Sequence, residues 1–251
     1  MRSPNQLVYS RARVSNRFAL FPLEGYPASR LPNWDKTEAR VLAAPVLGAN
    51  FVQYLLNTQT GGGTHHKADG RIETFIYVLS GEAQLSLTDG ASRKLTAGGF
   101  ALVPPTAGFD LKMLQPGELL TLRKAYEPAA GIEMFKPVLG NEAEIPAPPW
   151  MENPNTRLQT LIPDDLLYDL AINIFAFDPG HGLPYVETHV MEHGLYILQG
   201  RGMYYLEDSW MEVEKNDFIW MGPYCPQSYY ATGPTPTRYI YYKNVNREIA
   251  L

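Results

Sequence analysis

FIYVLSGEAQLSLTDG (residues 75–90) and LYILQGRGMYYLEDSW (residues 195–210) have the same layout: an apolar run, a glycine, an alternating run, then a turn. Gly81 and Gly200 stand 119 residues apart. Downstream, LTAGGFALVPPTAGF (95–109) parallels VEKNDFIWMGPYCPQ (213–227), with Phe109 and Gln227 118 residues apart. Alternation bounded by Gly, Pro and Asp is the mark of short strands, so one β unit is written twice. Working outward, RVLAAPVLGANFVQYLLNTQ (40–59) and ELLTLRKAYEP (118–128) extend the first copy, and DLAINIFAFDPG (169–180) and TRYIYYKNV (237–245) the second. Helical periodicity is weak; LIPDDLLYDL (161–170) has room for one short helical turn. The stretch 127–155 is Pro-rich and lacks alternation. The expected layout is a first unit over 1–135, a linker over 136–155 and a second unit over 156–251.

Composition agrees with an all-β chain. The 21 Pro and 21 Gly suit many turns, and the 16 Tyr favour strands. A formal charge of −5 argues against a nucleic-acid partner. Cys225 is the single cysteine, so no internal disulfide forms. It lacks a partnered base and reads as packing. No apolar run reaches the roughly 18 residues of a membrane span, and the first residues carry no secretory pattern, so a cytoplasmic location is expected. Arg2, Arg11, Arg13 and Arg17 read as a solvated face or an oligomer contact.

Both copies resemble the cupin pattern: two His and a Glu before V-L-x-G, then Gly-Asp, a Pro and a third His. The resemblance implies tandem cupins, that is a bicupin of two jelly-roll β-barrels. Counting back from Gly200 in YILQG, the Glu slot holds His193, the second His slot His189 and the first His slot Glu187. Asn216-Asp217 replaces Gly-Asp, and the third His slot holds Gln227. Glu187 and His189, two apart, are expected on one strand face, with His193 and Gln227 from facing strands. The first copy has Thr74 and Phe109 in the matching slots. His65 and His66 are adjacent in a Gly-rich stretch and read as loop residues, as does His181, so the first copy is expected to be a metal-free scaffold.

A closer resemblance lies in YVETHVMEHGLYILQGRGMYYLEDSWMEVEKNDFIWMGPYCPQSYY, in RYIYYKNVNRE, and in FALFPLEGYP, VLGANFVQYLL and IETFIYVLSGE. These strings are similar to the (S)-ureidoglycine aminohydrolases. That resemblance implies an enzyme of purine and allantoin degradation, releasing ammonia from (S)-ureidoglycine to give (S)-ureidoglycolate. It implies one Mn²⁺ per chain in the C-terminal cupin, held by Glu187, His189, His193 and Gln227. It also implies substrate contacts from Glu187, Tyr204, Tyr239 and Lys243, with Glu187 and Lys243 as the catalytic pair. Without thiolates the ligand set suits Mn²⁺, Fe²⁺ or Co²⁺, with Zn²⁺ open. Paired barrels favour a homo-oligomer.

The residues alone allow plainer readings. Two His and a Glu can be a structural polar cluster, and a buried Gln often only satisfies backbone groups. Tyr204 and Tyr239 can be wall packing, and Lys243 an exposed strand-end charge. The competing functions are another metal-cupin enzyme, such as a dioxygenase or isomerase, and a non-catalytic small-molecule-binding bicupin.

Overall fold

The structure, a computed structural model, describes residues 11–248; Arg2 lies outside them. Two short strands come first, β1 (Arg13–Val14) and β2 (Phe18–Phe21). Nine follow: β3 (Trp34–Ala43), β4 (Val52–His66), β5 (Ile72–Val78), β6 (Glu82–Leu87), β7 (Ser92–Thr96), β8 (Gly99–Val103), β9 (Phe109–Gln115), β10 (Gly117–Ala125) and β11 (Val138–Asn141). The last nine are β12 (Pro149–Trp150), β13 (Asn153–Ile162), β14 (Leu170–Phe177), β15 (His193–Gln199), β16 (Arg201–Leu206), β17 (Ser209–Glu214), β18 (Phe218–Met221), β19 (Gln227–Ala231) and β20 (Thr237–Asn244). The helical elements among the described residues are three 3₁₀ turns. No helix among them is long and apolar enough to cross a membrane.

The chain is all-β, of the cupin class, and divides into two compact units. One is Pro27–Ile145; the other joins the described residues up to Tyr26 with those from Pro146 onward. The sequence layout of 1–135, 136–155 and 156–251 differs from this in two places. β2 pairs with β18, so the first strands complete the second unit's sheet. β11 and β12 lie in the expected linker, and β11 pairs with β8. Gly140 permits that pairing, because a Cβ there would meet the Phe100 ring at 2.5 Å. Edge pairing of a four-residue segment leaves no periodic mark in the sequence.

Within Pro27–Ile145 one sheet runs β11-β8-β5-β10-β4-β9-β6-β7, with β3 also on β4, and nearly closes as a barrel. The 15-residue β4 makes this possible: its first half pairs with β10 and its last four residues, Gly63 to His66, with β9. The Gly run carries the bend, since a Cβ on Gly63 would lie 1.9 Å from the Leu111 carbonyl oxygen. His65 and His66 therefore end a strand and are not loop residues; His181 is in a loop, as expected. The core is mostly aliphatic, with Leu56, Ile76, Val78, Leu85 and Leu119 at its centre.

The second unit repeats the pairing, β2-β18-β15-β20-β14-β13, with β17-β16-β19 as a separate sheet. The separation has a cause. β14 stops at Phe177, where Asp178-Pro179-Gly180 follows, and Pro cannot supply a ladder N–H. Residues 178–192 thus form a loop where the other unit has the end of β4. Isolated bridges at Gly182–Tyr230 and Glu187–Gln227 tack it to β19. The helical turn considered for 161–170 is absent. Asp165 instead accepts from the Leu167 N–H at 2.9 Å, a local bond that competes with helix. The core is aromatic: Phe175, Phe177, Tyr204, Tyr229 and Tyr239 pack together.

The twin hairpins confirm the repeat at the level of backbone. Gly81 and Gly200 have φ of 83° and 80°. Asn216 takes φ 74° where the first unit has Gly98 at 79°, a conformation Asn tolerates better than most residues. A Cβ on Gly200 would approach the Pro236 carbonyl oxygen at 2.8 Å. Gly200→Ala is therefore expected to destabilise the protein by about 1–2 kcal/mol from the left-handed backbone alone, with the close contact adding to it. Urea unfolding measures this; an unchanged midpoint would remove the hairpin's role in register.

Candidate active site

The interrupted strand delivers the site. Glu187 lies in the loop and is bound to Gln227 by two backbone hydrogen bonds of 2.9 Å, N–H to C=O in each direction. His189, two residues on, is also in the loop, its carbonyl accepting from the Tyr224 N–H at 2.8 Å. The two do not share a regular strand, as alternation had predicted; Pro179 and Pro184 interrupt it. His193 opens β15 and pairs across with Lys243 on β20 and Met221 on β18. Gln227 opens β19.

All seven expected site residues, Glu187, His189, His193, Tyr204, Gln227, Tyr239 and Lys243, line one cavity of about 320 Å³. A larger groove of about 730 Å³, along β3 and β4 of the other unit, contains none of them. The His193 Nδ1–H donates to the Tyr242 carbonyl at 3.0 Å, which leaves a lone pair on Nε2. That Nε2 faces His189 Nε2 at 3.2 Å, and the Gln227 amide nitrogen Nε2 lies 3.2 Å from the same His189 nitrogen. Burial first, and the neighbouring His189 second, push His193 down to about 3, so it stays neutral. His189 is also lowered, by burial and then by Lys243. Burial raises Glu187, with Lys243 acting against it. Among the described residues no three His, Cys, Asp or Glu converge closely enough to hold a metal ion. The close set here is two imidazoles and an amide, with Glu187 on the wall of the same cavity.

Tyr204 and Tyr239 are 1% and 2% exposed, yet both line the cavity. The Tyr204 hydroxyl donates to Gln227 Oε1 at 2.9 Å and so fixes the carboxamide. Burial holds both hydroxyls well above the ordinary phenol range, so they act as neutral donors. Tyr204→Phe removes that donor, and a typical hydrogen bond contributes about 0.5–1.5 kcal/mol. The expected result is a fall in kcat/KM of up to about tenfold with the fold retained; an unchanged value would reduce Tyr204 to packing.

Tyr239, Tyr241 and Lys243 alternate along β20 and point inward together. Tyr241 was missed by sequence reasoning, although the parity that supported Tyr239 and Lys243 as an inward pair includes it. Asn173, Asp164, Trp150 and Phe175 were also missed. Asp164 accepts from Lys243 Nζ at 3.5 Å, a long contact with both side chains partly in solvent. Trp150 meets Phe175 edge-on, and Phe175 stacks on Tyr241 at 5.7 Å, forming an aromatic wall. Cys225 is buried and its thiol is pushed up to about 11, mainly by burial, as a packing residue would be.

Residues 174–246, within this unit, match the family model of the AraC-like ligand binding domain. Over 98% of its length the chain is 34% identical to the (S)-ureidoglycine aminohydrolase of Escherichia coli, covering 95% of that protein. The chain belongs to the (S)-ureidoglycine aminohydrolase family. The Arabidopsis thaliana enzyme of that name is 33% identical over 95% of the chain and 79% of its own length. The crystal structure of protein Ylba from E. coli superposes with a TM-score of 0.85 at 32% identity, covering both chains in full. The seven residues that the sequence resemblance implied all line the cavity of about 320 Å³ in the second unit.

Proposed function

We propose that this chain is a manganese-dependent bicupin that hydrolyses (S)-2-ureidoglycine to (S)-ureidoglycolate and ammonia in purine and allantoin breakdown. The observation that carries the reading is the gathering of all seven expected residues around one cavity. Membership of a family bearing that activity in its name supports it.

The donor set fits a divalent ion. His193 turns a lone pair inward, His189 Nε2 meets it, and the Gln227 amide, whose Nε2 lies against His189 and whose Oε1 accepts from Tyr204, keeps a second lone pair on that oxygen, with no thiolate among them. Glu187, His189, His193 and Gln227 would hold one Mn²⁺, which when bound supplies Lewis acidity and a template for the substrate.

The chain's own groups do the rest. The neutral Tyr239 hydroxyl donates to a substrate oxygen, while Tyr204, its proton engaged by Gln227 Oε1, offers its oxygen as an acceptor to a substrate N–H. The wall of Trp150, Phe175 and Tyr241 limits bulk water. In the net reaction a water oxygen bonds to the chiral carbon, the bond to the amino nitrogen breaks, and its electron pair leaves with the nitrogen. Water gives up a proton and the leaving amine takes one. Glu187 and Lys243 carry those two protons as general acid–base partners. A cytoplasmic homo-oligomer is part of the same proposal.

The test generates fresh (S)-ureidoglycine with an allantoate amidohydrolase and follows product chirality by circular dichroism, with Mn²⁺ or with EDTA. Rapid, EDTA-sensitive formation of (S)-ureidoglycolate is expected. A rate equal to the spontaneous decay, with metal bound, would overturn the substrate assignment.

A further inference from the structure

The first unit keeps a smaller version of the same cavity. Arg123 pairs with Thr74 as Lys243 pairs with His193. Thr121 pairs with Ile76 as Tyr241 pairs with Leu195. His66 stands opposite Phe109 as Glu187 stands opposite Gln227. Where the second unit has imidazole, phenol and ammonium, the first therefore has hydroxyl, hydroxyl and guanidinium. These residues line a cavity of about 60 Å³.

Two of its polar groups, the hydroxyls of Thr74 and Thr121, lack protein partners, whereas the His65 ring is paired with Asp110 at 2.6 Å. Thr74 and Thr121 are 4% and 1% exposed, and neither hydroxyl makes a hydrogen bond within the described protein. Buried polar groups are nearly always satisfied by protein, water or a ligand. His66 is lowered by burial first and by the Arg123 charge next, so the imidazole is neutral. Asp69 is the acidic group whose charge reaches His66 and Arg123, but its carboxylate is occupied by the N–H groups of Arg71 and Ile72 at 2.8 and 2.7 Å. The cavity thus offers the Arg123 cation and two buried, unpartnered hydroxyls. Its volume equals that of roughly two waters.

We propose that this cavity binds a small carboxylate monoanion, of formate or acetate size, between Arg123 and the hydroxyls of Thr74 and Thr121. A guanidinium fork matches a carboxylate with two parallel hydrogen bonds. Each threonine hydroxyl supplies a further donor. The inference rests on the first unit's own residues and is independent of the catalytic reading.

The experiment is thermal unfolding of the metal-loaded full-length protein, titrated with sodium formate or acetate at constant ionic strength against chloride. A ligand that binds only the folded state raises the midpoint by mass action. A saturable rise is expected with formate and acetate and not with chloride. It should vanish in Arg123→Gln and persist in Lys243→Met. Thr121→Val, close in shape to the native residue, should weaken it about five- to tenfold, the loss of one hydrogen bond. An equal response to chloride, or a rise that survives in Arg123→Gln, would overturn the proposal. So would a rise lost in Lys243→Met, since that assigns binding to the other cavity. A crystal grown in formate that holds only water against Thr74 and Thr121 would also overturn it.

Discussion

Lys243→Met should lower kcat by about 10²- to 10⁴-fold, the range for loss of a positioned general acid or base. Lys243 lies directly across from His193 in the β15–β20 ladder and shares its cavity with Glu187. Its ammonium reaches the Asp164 carboxylate only at 3.5 Å, with both side chains partly in solvent, so it is not locked into a structural ion pair. The variant should fold normally, because the side chain is partly exposed and packs at the end of its strand. Lys243→Arg separates charge from proton transfer: it keeps the cation, but a guanidinium does not give up its proton. Steady-state kinetics on both variants decide the point. Equal loss in both supports proton transfer. Wild-type kcat in Lys243→Arg would leave only an electrostatic role, and wild-type kcat in Lys243→Met would remove the residue from the reaction.

The second large effect is on stability and lies in the first unit. Lys124 and Glu73 pair across β10 and β5 with side chains 5% and 1% exposed and an N···O distance of 3.5 Å. Lys124 Nζ also donates to the Ala125 carbonyl at 2.9 Å. Removing one partner of a buried pair leaves an uncompensated charge and typically costs about 3–5 kcal/mol. Lys124→Met should therefore lower the urea midpoint sharply. The double variant Glu73→Leu/Lys124→Met should recover most of the loss, since apolar replacement of a whole buried pair is often neutral. If the double variant is as unstable as the single one, packing rather than charge is responsible.

Much of this protein was legible as sequence. The repeat was readable because each copy must build the same hairpin, and a left-handed turn is served by Gly81 and Gly200 alike. The site was reachable by counting because strand pairing preserves spacing: Gln227 opens β19 and His193 opens β15, where the slots had them. The family resemblance implied Tyr239 and Lys243, alternation supported them as an inward pair, and both line the cavity. Alternation was not carried through to Tyr241, and it does not apply to Asp164, which lies outside any strand.

By itself, then, the sequence determined the all-β class and the doubling of the unit, which follow from local rules, namely two-residue alternation and glycine at left-handed turns. The seven expected site residues came from its resemblance to a family. Tertiary structure alone decided which edge each stray segment joined: β2 on β18, and β11 on β8. Such pairings depend on which sheet edge is open, and a short edge strand carries no record of its partner. Tertiary structure also decided the contrast between the two cavities. Leu85 and Leu119 fill the first unit's interior at the register positions of Tyr204 and Tyr239. The second unit breaks its long strand after Phe177, and the resulting loop brings Glu187 and His189 to the wall of a cavity of about 320 Å³. Volume is a property of side chains packed from many strands at once, and no single stretch of sequence contains it.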